Sequence, residues 1–85
     1  MGMALAYFFA TLQHPYSQMA AEKAGFQLVG VAPASDRIAV APGGVKYVYE
    51  AIYAKVFAPE SDLLRPRAEN LTPRVEALFD YLYPS

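Results

Sequence analysis

The chain has 85 residues, of which 55% are hydrophobic, 14% aromatic and 18% charged, and it contains no cysteine. Typical soluble domains are about 25% charged, so this chain is short of charged surface, and its apolar content excludes intrinsic disorder. The length favours a single domain, and without cysteine there are neither disulfides nor thiolate metal sites. We therefore expect a second copy of the chain, or a missing piece of a larger domain, to cover the surplus apolar surface.

The charge distribution argues against nucleic acid as a partner. The net charge is −1, and the seven lysines and arginines are scattered between Lys23 and Arg74 without forming a basic stripe, which phosphate binding requires. The apolar run over residues 3–12 is about half as long as a membrane span and lacks the basic flank of a signal peptide. These features predict a cytoplasmic protein that does not bind membranes.

The first predicted element is a strand over residues 4–12, a continuous uncharged run rich in aromatic residues. Such runs are typical of strands buried on both faces of a sheet, although the length alone also fits a buried helix. A helix follows over residues 15–24, because Pro15 suits a first helical position and Gly25 stands where a left-handed C-terminal cap is needed.

The middle of the chain predicts two further strands. Residues 26–32 read as a strand that stops at Pro33, residues 34–36 as a turn and residues 37–40 as a short extended piece. The strongest breaker in the sequence, Pro-Gly-Gly, occupies residues 42–44. The density of tyrosine and valine over residues 45–57 favours a long strand over a helix.

The last third predicts a surface loop and a terminal amphipathic helix. Residues 58–71 contain two prolines and several polar residues. Thr72 is a suitable N-cap and Pro73 a suitable first helical residue. The helix that follows carries an apolar stripe at positions i, i+3, i+4 and i+7 that must dock on another surface. The stripe consists of Val75, Leu78, Phe79 and Leu82.

One cluster of polar residues, Gln13 to Gln18, lies where the first strand meets the first helix. Ligands of open α/β sheets bind at the carboxyl ends of strands, and the free amides of a first helical turn attract anions. His14 and Ser17 are the candidates, with helix capping and local backbone hydrogen bonding as the alternative that position alone favours. The single histidine and the spacing of the carboxylates predict no metal site.

Three tyrosines on the third strand offer a second, weaker candidate surface. Tyr47, Tyr49 and Tyr53 share one face at strand periodicity and would line an aromatic ligand surface. A tyrosine stripe on a strand is more often part of a core or an interface, and we favour that interpretation.

The segment from His14 to Phe26, HPYSQMAAEKAGF, resembles the C-terminal motif of the GNAT superfamily of acyl-CoA N-acyltransferases. In that family a strand leads into an Asn-x-x-Ser or Asn-x-x-Ala turn, and a helix ending in Glu-Lys-x-Gly-Phe precedes the next strand. The resemblance covers residues 4–57 and implies an α+β fold. Its expected core is a partial GNAT-like mixed sheet in the order strand-helix-strand-strand, followed by the loop and helix of residues 58–85.

What the resemblance implies for function depends on which family residues are present. Acetyl-CoA would be the acyl donor, His14 would lie beside its pantetheine arm, and Ser17 would protonate the departing thiolate. His14 replaces the family's asparagine, Ala21 stands at the position of a tyrosine acid used by many members, and the loop that binds the CoA pyrophosphate is absent. We therefore expect a C-terminal portion of such an enzyme, inactive alone and active only when paired with a missing N-terminal half.

Two other interpretations remain open at this stage. The chain is alternatively a non-catalytic α+β module that dimerises or binds a partner through its unpaired sheet edge. The start Met1-Gly2-Met3 also fits a truncated reading frame. The expected open edge of the sheet lies beside Tyr7, Phe8 and Phe9, where another chain would cover it.

Overall fold

The computed structural model describes residues 4–40 and 42–84, and these form an α+β fold of three strands and two α-helices. The elements follow one another as β1 (Leu5–Thr11), α1 (Tyr16–Lys23), β2 (Gln27–Val40), β3 (Gly44–Val56) and α2 (Pro73–Leu82). Two short 3-10 turns, Glu60–Asp62 and Ala68–Asn70, lie in the predicted loop. The predicted order of strand, helix, strand, strand and terminal helix is therefore confirmed.

The sheet has the order β1-β3-β2, and both neighbouring pairs are antiparallel. The predicted mixed sheet is wrong for the described part of the chain. β1 and β2 run in the same direction, but β3 returns from β2 through a hairpin and inserts between them. β1 and β2 are thereby kept apart, and each hydrogen-bonds to β3.

β2 is longer than the sequence predicts, because it continues through Pro33 to Val40. Pro33 pairs with Tyr49 and Arg37 pairs with Tyr47, so β2 inserts two extra residues where a turn was expected. The predicted end at Pro33 and the turn over residues 34–36 are wrong. An edge strand tolerates proline and bulges because its outer backbone groups have no ladder partner to lose.

α1 begins and ends close to its predicted bounds. Pro15 is the N-cap rather than the first helical residue, and Gly25 has a φ of +88°, as expected for a left-handed cap. The amide of Gly25 donates to the carbonyl of Glu22 (3.1 Å) and the amide of Phe26 to that of Ala21 (3.0 Å). This pair of bonds is a Schellman motif, which satisfies the last carbonyls of the helix.

The core lies between α1 and one face of the sheet. Ala10, Ala21, Ala51 and Tyr53 form it, and Phe26 packs against them. Tyr53 is 1% exposed and is the largest fully buried side chain of the described residues. Small side chains at the three alanine positions let the helix approach the strands closely. We call this side of the sheet the covered face.

On the opposite side, which we call the open face, no helix within residues 4–40 and 42–84 packs as closely as α1 does on the covered face. β1 lies at the sheet edge and turns Tyr7 and Phe9 to this face, where they are 62% and 57% exposed. The prediction that β1 is buried on both faces is wrong for this chain, since Ala10 is its one buried residue. Among residues 4–40 and 42–84, no helix is long and apolar enough to cross a membrane.

Candidate functional site

The connection between β1 and α1 is a short exposed loop held in place by Gln18. The side-chain amide of Gln18 donates to the carbonyls of Thr11 and His14, each at 3.1 Å. The amide of Gln13 donates to the hydroxyl of Thr11 at 3.1 Å. Sequence reasoning placed Gln18 in the cluster without a role, and the structure shows that it fixes the loop carrying the candidate residues.

His14 is exposed at this junction. Its ring lies 5.3 Å from the ring of Tyr16, tilted by 36°, and Tyr16 is exposed as well. Pro15 is the N-cap of α1, and no side chain of the described residues caps the helix there. The alternative that His14 caps the helix is therefore wrong. The imidazole is exposed and can contact a molecule that approaches the end of β1.

Ser17 lies in the first turn of α1, three residues after His14, and is half-buried. Its hydroxyl makes no hydrogen bond to any other residue in the described ranges, so the expected local bond to the backbone is not formed. A serine hydroxyl can donate one proton and accept two hydrogen bonds. Both predicted residues therefore lie at the junction between β1 and α1, where His14 is exposed and Ser17 is half-buried.

The tyrosine stripe of β3 divides into a buried part and an exposed part. Tyr53 belongs to the core, whereas Tyr47 and Tyr49 are exposed. The Tyr53 hydroxyl donates to a carboxylate oxygen of Glu22 at 2.6 Å. This hydrogen bond, with burial second, raises the pKa of Tyr53 to about 12. Tyr53 therefore joins β3 to α1, which confirms the favoured interpretation of this tyrosine as a core residue.

A cleft of about 930 Å³ lies between the end of β3, the loop after it and α2. Lys55 donates to the carbonyl of Ala24 at 2.6 Å, and Arg65 donates to that of Tyr83 at 2.8 Å. Each cation therefore satisfies a carbonyl at the C-terminal end of a helix. Neither His14 nor Ser17 lines this cleft, and sequence reasoning did not anticipate it, because its walls come from distant segments.

No family model, no curated protein and no solved structure matches the chain. Within the described residues, no group of three or more histidine, aspartate or glutamate side chains is arranged to hold a metal ion. What the junction offers chemically is one accessible imidazole and one hydroxyl beside the first turn of a helix, whose amide groups lack intrahelical partners.

Proposed function

We propose that the chain is the C-terminal portion of a GNAT-like N-acyltransferase and does not bind acyl-CoA tightly by itself. The observation that carries this proposal is the accessibility of His14 and Ser17 where β1 leads into α1. Further support comes from the left-handed turn at Gly25, which ends α1 where the resembling motif ends its helix.

The proposed reaction is direct attack of a substrate amine on the thioester carbonyl of acetyl-CoA. The new carbon–nitrogen bond forms as the carbon–sulfur bond breaks, and the amine loses a proton to solvent. In this reaction Ser17 would donate a proton to the departing thiolate and regain one from solvent, while His14 would contact the pantetheine arm. The residues present fit only this thioester end of the molecule, because the sequence lacks the loop that would bind the pyrophosphate.

Calorimetry and NMR together test this proposal. Titration with acetyl-CoA is expected to give no micromolar binding, because the phosphate contacts are missing. At millimolar concentrations we expect amide shifts centred on His14 and Ser17, which weaken in Ser17→Ala. Ser61→Ala serves as a matched control, since Ser61 lies in the distant cleft. Micromolar binding would contradict the incomplete site, and shifts that avoid the junction would contradict the acyltransferase proposal.

A second candidate function is non-catalytic self-association, which the free edge of β1 favours. β1 pairs only with β3 in the described sheet, and its aromatic side chains are exposed. Unpaired edges of this kind readily add a further strand. The native mass as a function of concentration distinguishes the candidates: a concentration-dependent dimer without junction shifts supports self-association, whereas junction shifts in a monomer support the acyltransferase.

A further inference from the structure

The free edge of β1 carries regularly spaced backbone groups that point away from the sheet. The amide of Leu12 donates to the carbonyl of Tyr49, and the amide of Phe57 donates to the carbonyl of Ala4. In an antiparallel ladder the directly opposed pairs alternate between bonded and non-bonded, so the even-numbered residues of β1 bond to β3. The odd-numbered residues therefore turn their N–H and C=O groups outward. These residues are Leu5, Tyr7, Phe9 and Thr11.

The two edges of the sheet differ in how they are protected. β2, at one edge, contains Pro33 and two irregularities in its register with β3. Proline and bulges are devices that discourage further strand pairing. β1, at the other edge, has no proline, no charged residue and an unbroken register over all seven residues. Only β1 is therefore suited to receive another strand.

We infer that β1 pairs with β1 of a second copy, antiparallel and about a two-fold axis at Phe8. This inference deepens the self-association proposed above and is independent of acyl transfer. An axis at Phe8 sets Tyr7 opposite Phe9 of the second copy and Leu5 opposite Thr11. All the outward backbone groups then face each other in bonded pairs. Thr11 already receives Gln18 at its carbonyl, which retains a second lone pair.

The side chains favour the same register. Tyr7 and Phe9 lie on the open face, so the axis brings four aromatic rings together as cross-strand pairs, which stabilise antiparallel strands. Because β1 is uncharged, no like charges are opposed, and a second copy fits this edge without electrostatic cost. On the covered face, α1 contacts β1 and β2, and its Ala21 shares the core with Ala51 and Tyr53 of β3. The resulting sheet has six strands.

Cysteine cross-linking tests this register, since the chain has no cysteine of its own. Directly opposed residues lie close enough for a disulfide. Phe8→Cys is therefore expected to give covalent dimers on mild oxidation. Tyr7→Cys and Phe9→Cys are expected to cross-link rapidly only when the two variants are mixed. Val31→Cys, exposed on β2, is the control that should form no covalent dimer.

A charge substitution tests the same interface without cross-linking. Phe9→Lys is expected to raise the dimer dissociation constant about tenfold or more, because it removes both cross-strand aromatic pairs between Phe9 of one copy and Tyr7 of the other. Tyr81→Lys, on the exposed surface of α2, should leave it unchanged. Circular dichroism establishes that both variants fold. A dimer that survives Phe9→Lys and does not cross-link in this pattern overturns the β1 interface but keeps self-association. A monomer at every concentration overturns both.

Discussion

The two helices of this chain differ in how they are attached to the sheet. α1 has little amphipathic pattern, yet its one buried residue, Ala21, lies in the core with Ala10 and Ala51. α2 has a continuous apolar stripe and an N-cap hydrogen bond, yet none of its residues is buried. Val75 and Leu78, the first half of its stripe, remain 50% and 52% exposed.

The difference follows from what each helix meets. α1 lies against small side chains, ends in a Schellman motif and receives the Tyr53 hydroxyl on Glu22. α2 is joined near its end by two polar contacts, Gln27 to the carbonyl of Leu82 at 2.7 Å and Arg65 to that of Tyr83 at 2.8 Å. An apolar stripe shows that a helix has a face to bury, whereas close contact depends on a matching surface in the same chain.

The largest expected effect comes from removing one tyrosine from the core and one from α2. Tyr53→Ala should lower the free energy of unfolding by about 3–5 kcal/mol, as for other large core residues replaced by alanine. Tyr81→Ala, on the exposed side of α2, should change it by less than about 0.5 kcal/mol. Urea unfolding followed by circular dichroism measures both. Similar losses would show that α2 packs as firmly as the core.

A matched enlargement in the two helices gives the next largest effect. Ala21→Leu forces three extra carbons between α1 and the strands and should cost about 1–3 kcal/mol. Ala77→Leu makes the same change on the exposed side of α2 and should stay within about 0.5 kcal/mol. The helix propensities of alanine and leucine are close, so the difference reports packing. Thermal melts at one protein concentration provide the comparison, and equal melting temperatures would argue against the close approach of α1.

The hydrogen bond between Tyr53 and Glu22 gives a smaller effect with a distinct pH signature. Tyr53→Phe should cost about 1 kcal/mol at neutral pH. The pKa of Tyr53 is about 12 in the folded chain against 10.0 as its ordinary value. The unfolded chain therefore loses this proton first, and the stabilisation present below pH 10 disappears as the pH rises towards 12.

The measurement is the free energy of unfolding from pH 8 to pH 12 for the wild type, Tyr53→Phe and Tyr49→Phe. Tyr49 is the control because it lies on the same strand but is exposed. The gap between wild type and Tyr53→Phe should narrow above pH 10, while the gap to Tyr49→Phe stays constant. If the difference in unfolding free energy from the wild type stays constant with pH for both variants, the hydrogen bond of the Tyr53 hydroxyl is not the source of the stabilisation.

Local signals in the sequence predicted the helices, strands and turns better than they predicted which strands pair with each other. The glycines at 25 and 43 both adopt positive φ angles, at +88° and +98°, because the turns there require a conformation that other residues rarely adopt. The strand over β3 was predicted from its tyrosines and valines. The insertion of β3 between β1 and β2 depends on long-range pairing, which carries no local signature.

In the candidate site, too, features with a local sequence signal were predicted and features set by long-range packing were not. The placement of His14 and Ser17 at a strand-to-helix junction followed from Pro15 and the helix signals after it. The support from Gln18 and the bond from Tyr53 to Glu22 were missed, since each depends on side-chain directions set by packing. The bulge of β2 at Pro33 was missed for a related reason, because a proline that ends most strands is tolerated where the strand lies at an edge.

The smallest expected effect is confined to α2 and tests whether this helix unfolds independently. The Thr72 hydroxyl accepts a hydrogen bond from the amide of Val75 at 3.2 Å. Thr72→Ala should destabilise α2 by about 1 kcal/mol, which accelerates hydrogen exchange of its amides about fivefold. Exchange in β3 should not change, because few contacts couple the helix to the sheet. Thr72→Ser keeps the cap and should exchange like the wild type. If Thr72→Ala instead accelerates exchange equally in β3, α2 belongs to the same cooperative unit as the core, and the contrast between the two helices fails.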